Sequence, residues 1–76
     1  MSDAIVELDL IVLLEDLESK GLPRGQVGRV IAEMGGGIYE VEFSDQNGLP
    51  FSYLPLHERQ IMKLLFDAPG DADYED

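Results

Sequence analysis

Few residues in this chain are of a type that does chemistry. His57 is the only histidine, and there is no cysteine. A catalytic or metal-binding imidazole needs a partner, and Glu58, adjacent in sequence, points elsewhere if the segment is extended. With no thiol, and no serine in a nucleophile context, acyl or thiolate chemistry has no starting point. Two pairs of carboxylates stand out, Glu15 with Asp16 and Glu40 with Glu42. Glycoside hydrolysis requires two acids held across a cleft. At i, i+2 spacing in an extended segment, Glu40 and Glu42 instead share one solvated face. Glu15 and Asp16 offer at most a weak divalent-ion site. Gly25-x-x-Gly28 lacks the third glycine, the following helix and the Lys-Ser/Thr pair of a phosphate-cradling loop, so it reads as a bend leading into a strand. No catalytic, cofactor-binding or metal-binding residue is assigned, and the chain is expected to be no enzyme.

Charge narrows the partners. Sixteen acids against five bases give a formal net charge of −11, and five of the acids fall in the last ten residues. Such a chain repels phosphate backbones and anionic lipid surfaces and speeds its encounter with basic partners. The bases Lys20, Arg24, Arg29, Arg59 and Lys63 are scattered and not interleaved with aromatics, so direct nucleic-acid binding is not expected. The longest apolar run, Leu10–Leu14, is too short to span a bilayer. No basic stretch precedes an apolar one at the N-terminus, and a cytoplasmic location is expected.

The elements that position these residues centre on Gly21–Ser44. A β-branched run, Val27–Met34, meets a Gly35-Gly36-Gly37 turn and then an alternating run, Ile38–Ser44, which is a hairpin signature. Tyr39, Val41 and Phe43 fall on one face and Glu40, Glu42 and Ser44 on the other. Val27, Val30, Tyr39, Val41 and Phe43 are the expected core. Gly28 is expected where a side chain would be crowded or the backbone angle positive. Leu10, Leu13, Leu14 and Leu17 fit helical spacing, but Leu8, Leu10, Val12 and Leu14 also alternate. The β propensity of Ile11-Val12, and the hairpin's need for partners, favour a strand at about 9–14. Glu15–Gln26 reads as a polar loop, Asn47-Gly48 as a second turn, Leu49–Leu54 as a short strand, Pro55–Gln60 as a connector and Ile61–Phe66 as a last strand. Short strands at this spacing suggest an all-β fold, a small five-stranded barrel or strongly bent sheet over residues 1–66. Residues 67–76, acidic and almost without apolar content, are expected to be disordered when free.

Leu13-Leu14-Glu15-Asp16-Leu17, then Gly21-Leu22-Pro23-Arg24-Gly25-Gln26-Val27-Gly28-Arg29-Val30, then Tyr39-Glu40-Val41-Glu42-Phe43 with Asp45, resembles a family of small bacterial domains of unknown function, frequent in cyanobacteria. The likeness spans about residues 9–65. It implies an SH3-like barrel, similar to the one that closes the nitrile hydratase β-subunit, and the Gly-x-x-Gly-x-Val stretch is similar to the KOW element. It brings no catalytic residue with it. Where the family pattern has Pro, this chain has Ser19 or its neighbour, and the acidic tail lies outside the pattern.

The first and last strands both carry apolar residues on both faces, so a small barrel cannot hide them all. The expected partner-binding set is Ile11, Leu13, Met62, Leu64 and Phe66, with the tail acids Asp67, Asp71, Asp73, Glu75 and Asp76. An apolar strip rimmed by acids is the pattern of a protein interface. The function expected is a protein–protein interaction module, an antitoxin- or immunity-like inhibitor that masks a basic partner. The alternative is an accessory or assembly subunit of a larger enzyme. Self-association is the competing use of the same strip, and no cofactor is expected.

Overall fold

A computed structural model describes residues 4–65. Phe66 and the acidic residues 67–76, for which disorder and partner contacts are expected, lie outside the described residues. The fold is all-β: β1 (Leu10–Leu13), β2 (Val27–Gly35), β3 (Ile38–Ser44), β4 (Pro50–His57) and β5 (Ile61–Lys63), with short 3-10 turns at Glu18–Lys20 and Glu58–Gln60. The strands form one antiparallel sheet in the order β4-β3-β2-β1-β5. No helix is long and apolar enough to cross a membrane among these residues.

The β2–β3 hairpin is the centre of the sheet. Its three glycines all take positive φ, between 65° and 87°, which an L side chain resists and glycine does not. Two register shifts in β2, between Val30 and Ala32 and between Glu33 and Gly35, bend the strand. The next turn is tied by Asp45, whose Oδ1 accepts the N–H groups of Asn47 and Leu49. β4 runs further than expected, through Pro55 to His57. It is an edge strand, where a missing N–H is tolerated. β5 is shorter than expected, although the Leu64 N–H still donates to Leu10 O at 2.9 Å.

Nine residues make the core: Ile11, Leu13, Leu22, Val30, Val41, Phe43, Leu54, Leu56 and Ile61, with Ile5, Leu17 and Tyr39 packed against it. Leu56 and Ile61 come from opposite edges of the sheet and share this core, so the sheet is curled over one interior. β4 and β5 are nevertheless not hydrogen-bonded to each other among the described residues.

Three expected placements are corrected. Ile11 and Leu13, expected on a partner-binding face, are sealed inside at 0% and 1% exposure. Val27, expected in the core, is 43% exposed. Strand alternation explains the last: residues 27 and 30 are three apart, so with Val30 inward Val27 points outward, and the first bulge comes only after Val30. β1 follows from the same strand, because Ile11 lies opposite Gly28 and Leu13 opposite Ile61, both inward-facing positions. Tyr39 does lie on the core side, but near the hairpin end, and is half-buried.

A candidate protein-binding surface

The outer face of the sheet is built from cross-strand rows. One row runs Leu10, Arg29, Glu42, Tyr53 across β1, β2, β3 and β4. The next runs Met62, Val12, Val27 across β5, β1 and β2. Because β1 is apolar on both faces, turning Ile11 and Leu13 inward necessarily turns Leu10, Val12 and Leu14 outward. Met62 (52% exposed), Val27 and Leu14 are open to solvent, Leu10, Val12 and Leu64 are half-buried, and Leu65 ends the described chain at 66% exposure. The result is an apolar stripe over β5, β1 and β2. Two concavities border it. A shallow one of about 350 Å³ is lined by Met62, Lys63, Leu64 and Leu65. A larger groove of about 640 Å³ runs from Leu10, Val27 and Arg29 to Glu42 and the Asp45–Gly48 turn.

Charge is arranged at the borders of the stripe. The Arg29 guanidinium donates to Leu8 O at 3.3 Å, which ties the outer face to the N-terminal turn. Partial desolvation, then the charge of Glu42 and a hydrogen bond to it, push the Tyr53 hydroxyl above its ordinary value. The Asp9 carboxylate accepts the Val6 N–H at 2.8 Å and pairs with Lys63 Nζ at 3.2 Å. The backbone hydrogen bond first, and Lys63 after it, hold Asp9 below its ordinary range against an opposing desolvation.

The residues weighed for chemistry serve as scaffold. His57 Nδ1 accepts the Arg59 N–H at 3.1 Å, while Gln60 Oε1 accepts the His57 N–H at 2.8 Å, so this histidine caps a 3-10 turn. Glu15 and Asp16 diverge: Glu15 accepts from the Gln60 side chain at 2.9 Å, and Asp16 from the Arg24 N–H at 2.7 Å. Gly28 has an ordinary φ, but a Cβ there would lie 2.7 Å from Phe43 Cε1 and 2.8 Å from Val41 Cγ1, the close approach expected of it. No group of three or more His, Asp or Glu is placed to hold a metal ion among the described residues.

Of the expected surface residues, the structure brings Met62 and Leu64 together on the outer face, buries Ile11 and Leu13, and leaves Phe66 and the tail acids undescribed. Sequence reasoning missed Leu10, Val12, Leu14 and Val27. The signal for them was Gly28: a glycine inside a strand marks a close approach from the core, which sets Gly28 inward and its neighbour Val27 outward. Leu22 was also missed. It sits in what reads as a polar loop, yet the bridge between Leu17 and Leu22 drops it into the core.

The family described as Domain of unknown function (DUF4926) matches residues 7–63. The chain belongs to that family. The match takes in every strand and both borders of the stripe, from the N-terminal turn to Lys63, and the acidic tail lies beyond it. No curated protein and no solved structure matches.

Proposed function

We propose that this domain is a non-enzymatic, cytoplasmic protein-binding module that covers a basic surface of its partner, in the manner of an antitoxin or immunity-type inhibitor. The observation that carries the reading is the apolar stripe of Leu10, Val12, Val27 and Met62 on the outer face of a chain with net charge −11. An apolar centre excludes water and supplies affinity, while the chain's overall excess of negative charge steers a cationic partner and rejects anionic ones.

The test begins with affinity capture from native lysate at low and moderate salt, and continues with the purified captured protein. Met62→Asp should weaken binding at least tenfold and leave the fold intact. The captured protein should be basic and should lose its own activity when bound. A partner that binds the Met62→Asp variant as tightly as the parent removes this surface from the reading. A partner made more active by binding replaces inhibition with an accessory role.

A further inference from the structure

The two edges of the sheet are unlike. β4 carries Pro50 and Pro55, and a strand with prolines is a poor template for further pairing. β5 has none, and its backbone polarity can be followed residue by residue. Leu64 donates its N–H to Leu10 O, and Gln60 O accepts the Leu14 N–H, so residues 60, 62 and 64 face β1. Residues 61, 63 and 65 therefore face away from it. The Ile61 N–H is taken up by Glu58 O. The Lys63 N–H, and by the same alternation that of Leu65, point to the edge of β5 that no strand covers among the described residues. Met62, Leu64 and Leu65 stand beside that edge and line the shallow concavity.

Resting on the protein-binding reading, we infer that the β5 edge accepts an extended, cationic segment of the partner as a sixth strand, its backbone pairing with Lys63 and Leu65 and its apolar side chains continuing the Met62–Val12–Val27 row. Strand addition places affinity in main-chain hydrogen bonds and specificity in alternate side chains. The occupant is identified by charge. Residues 66–76, which follow Leu65 directly in the sequence, carry five acids, so whatever lies along β5 sits where a negative stretch of chain begins. A second copy would bring another net −11 to the same place, whereas a segment alternating basic and apolar residues neutralises it.

The test uses the full-length chain, isotope-labelled, and a capped peptide of alternating lysine and valine at low salt. Binding should slow hydrogen exchange at Lys63 and Leu65. The same peptide N-methylated at alternate residues keeps its charge and side chains but loses its ladder donors, and should bind about tenfold more weakly or worse. A glutamate–valine peptide should not bind. Leu65→Pro, which removes one edge donor without touching the bonds to β1, should weaken the lysine–valine peptide by a similar factor. Equal binding of the N-methylated peptide overturns the inference, as does protection that falls on β4 instead. A dimer in sedimentation that protects Lys63 without peptide also overturns it, by making the occupant a second copy. A captured partner lost on Met62→Asp but indifferent to Leu65→Pro leaves the binding module standing and removes strand addition. Edge protection by the peptide with no partner captured supports strand addition and removes the inhibitor reading.

Discussion

Two faces of one strand separate the core of this domain from the apolar stripe on its outer face. In β1, Ile11 and Leu13 are sealed, while Leu10 and Val12, no less apolar, lie half in solvent on the other side. The same split recurs in β5, where Ile61 is buried and its neighbour Met62 is exposed. Hydropathy does not choose between the faces, since both would be at home inside. The choice is made across the sheet. Gly28 opens a slot on the inner face of β2 that Phe43 and Val41 occupy, and β1 pairs so that Ile11 stands over that slot. A strand with two apolar faces in a domain too small to bury both leaves one of them as a surface.

The largest effects are expected where the inner face is tightest. Phe43→Ala empties the side chain that fills the Gly28 slot and should cost about 3–5 kcal/mol by urea melt, enough to unfold a domain of this size. Gly28→Val should follow at about 3 kcal/mol, because both groups its Cβ would meet are themselves fully buried. Gly36→Ala, strained only by its φ of 65° and with open space around it, should cost about 1 kcal/mol. Equal, small losses at positions 28 and 36 would mean that the slot does not set the faces.

A sharper form of the comparison uses adjacent residues. Ile61→Ala should cost about 2–4 kcal/mol. Met62→Ala, one position along the same strand, should stay within about 1 kcal/mol. If partner binding then responds in the opposite order, with Met62→Ala weakening it more than its stability change explains, the two faces have separate work. Similar melting curves for both variants would erase the distinction.

Much of this fold was legible in the sequence. The hairpin is announced by its glycine turn and by the Tyr39, Val41, Phe43 alternation, and the strand at β3 begins and ends where that pattern does. The strand at β1 was readable from propensity and from the hairpin's need for a partner. What was not legible is which face of β1 turns inward, because a run such as Leu10–Leu14 alternates apolar with apolar and carries no phase. The end of β4 was hidden for a different reason: Pro55 reads as a break, and only its place at the edge of the sheet lets the strand continue. The surface was half legible for the same cause as the fold. Met62 and Leu64 could be found from their own strand and Val27 from the glycine beside it, but the side that Val12 takes is fixed by cross-strand register, which no single segment encodes.

A smaller effect is expected at Leu8, which takes a φ of 77° with its side chain 65% exposed. A bulky residue held in the left-handed region costs about 1–2 kcal/mol, and two hydrogen bonds, from its N–H to Val30 O and from Arg29 to its own carbonyl, hold it there. Leu8→Gly relieves the strain but gives the unfolded chain more freedom, for a net gain of about 0.5–1 kcal/mol. Partner binding that weakens as stability rises would extend the outer face to this turn. Binding that is unchanged would end the surface at Leu10.

The smallest effect concerns pH and the seam between the N-terminal turn and β5. Asp9 joins them, accepting the Val6 N–H and pairing with Lys63, and its carboxyl is held below the ordinary 3.8. A carboxyl whose folded pKa is depressed binds protons more readily in the unfolded chain, so its contribution is present above the unfolded value and is lost as pH falls through the folded one. The group is near the surface, where salt screens the Lys63 pair; the Val6 bond should therefore carry more of the effect than the ion pair. Asp9→Asn should lower the melting midpoint slightly at pH 7, and the gap to the parent should close as pH drops below 3.8. Added salt should narrow the gap only in part. Lys63→Met removes the ion pair, together with the Nζ bond to Ala4 O at 3.2 Å, and leaves the Val6 bond; even so it should reproduce less than half of the Asp9→Asn loss. A gap that persists undiminished at pH 2 would assign it to the shape of the side chain and leave the carboxylate's charge without a part in fastening this turn to the outer strands.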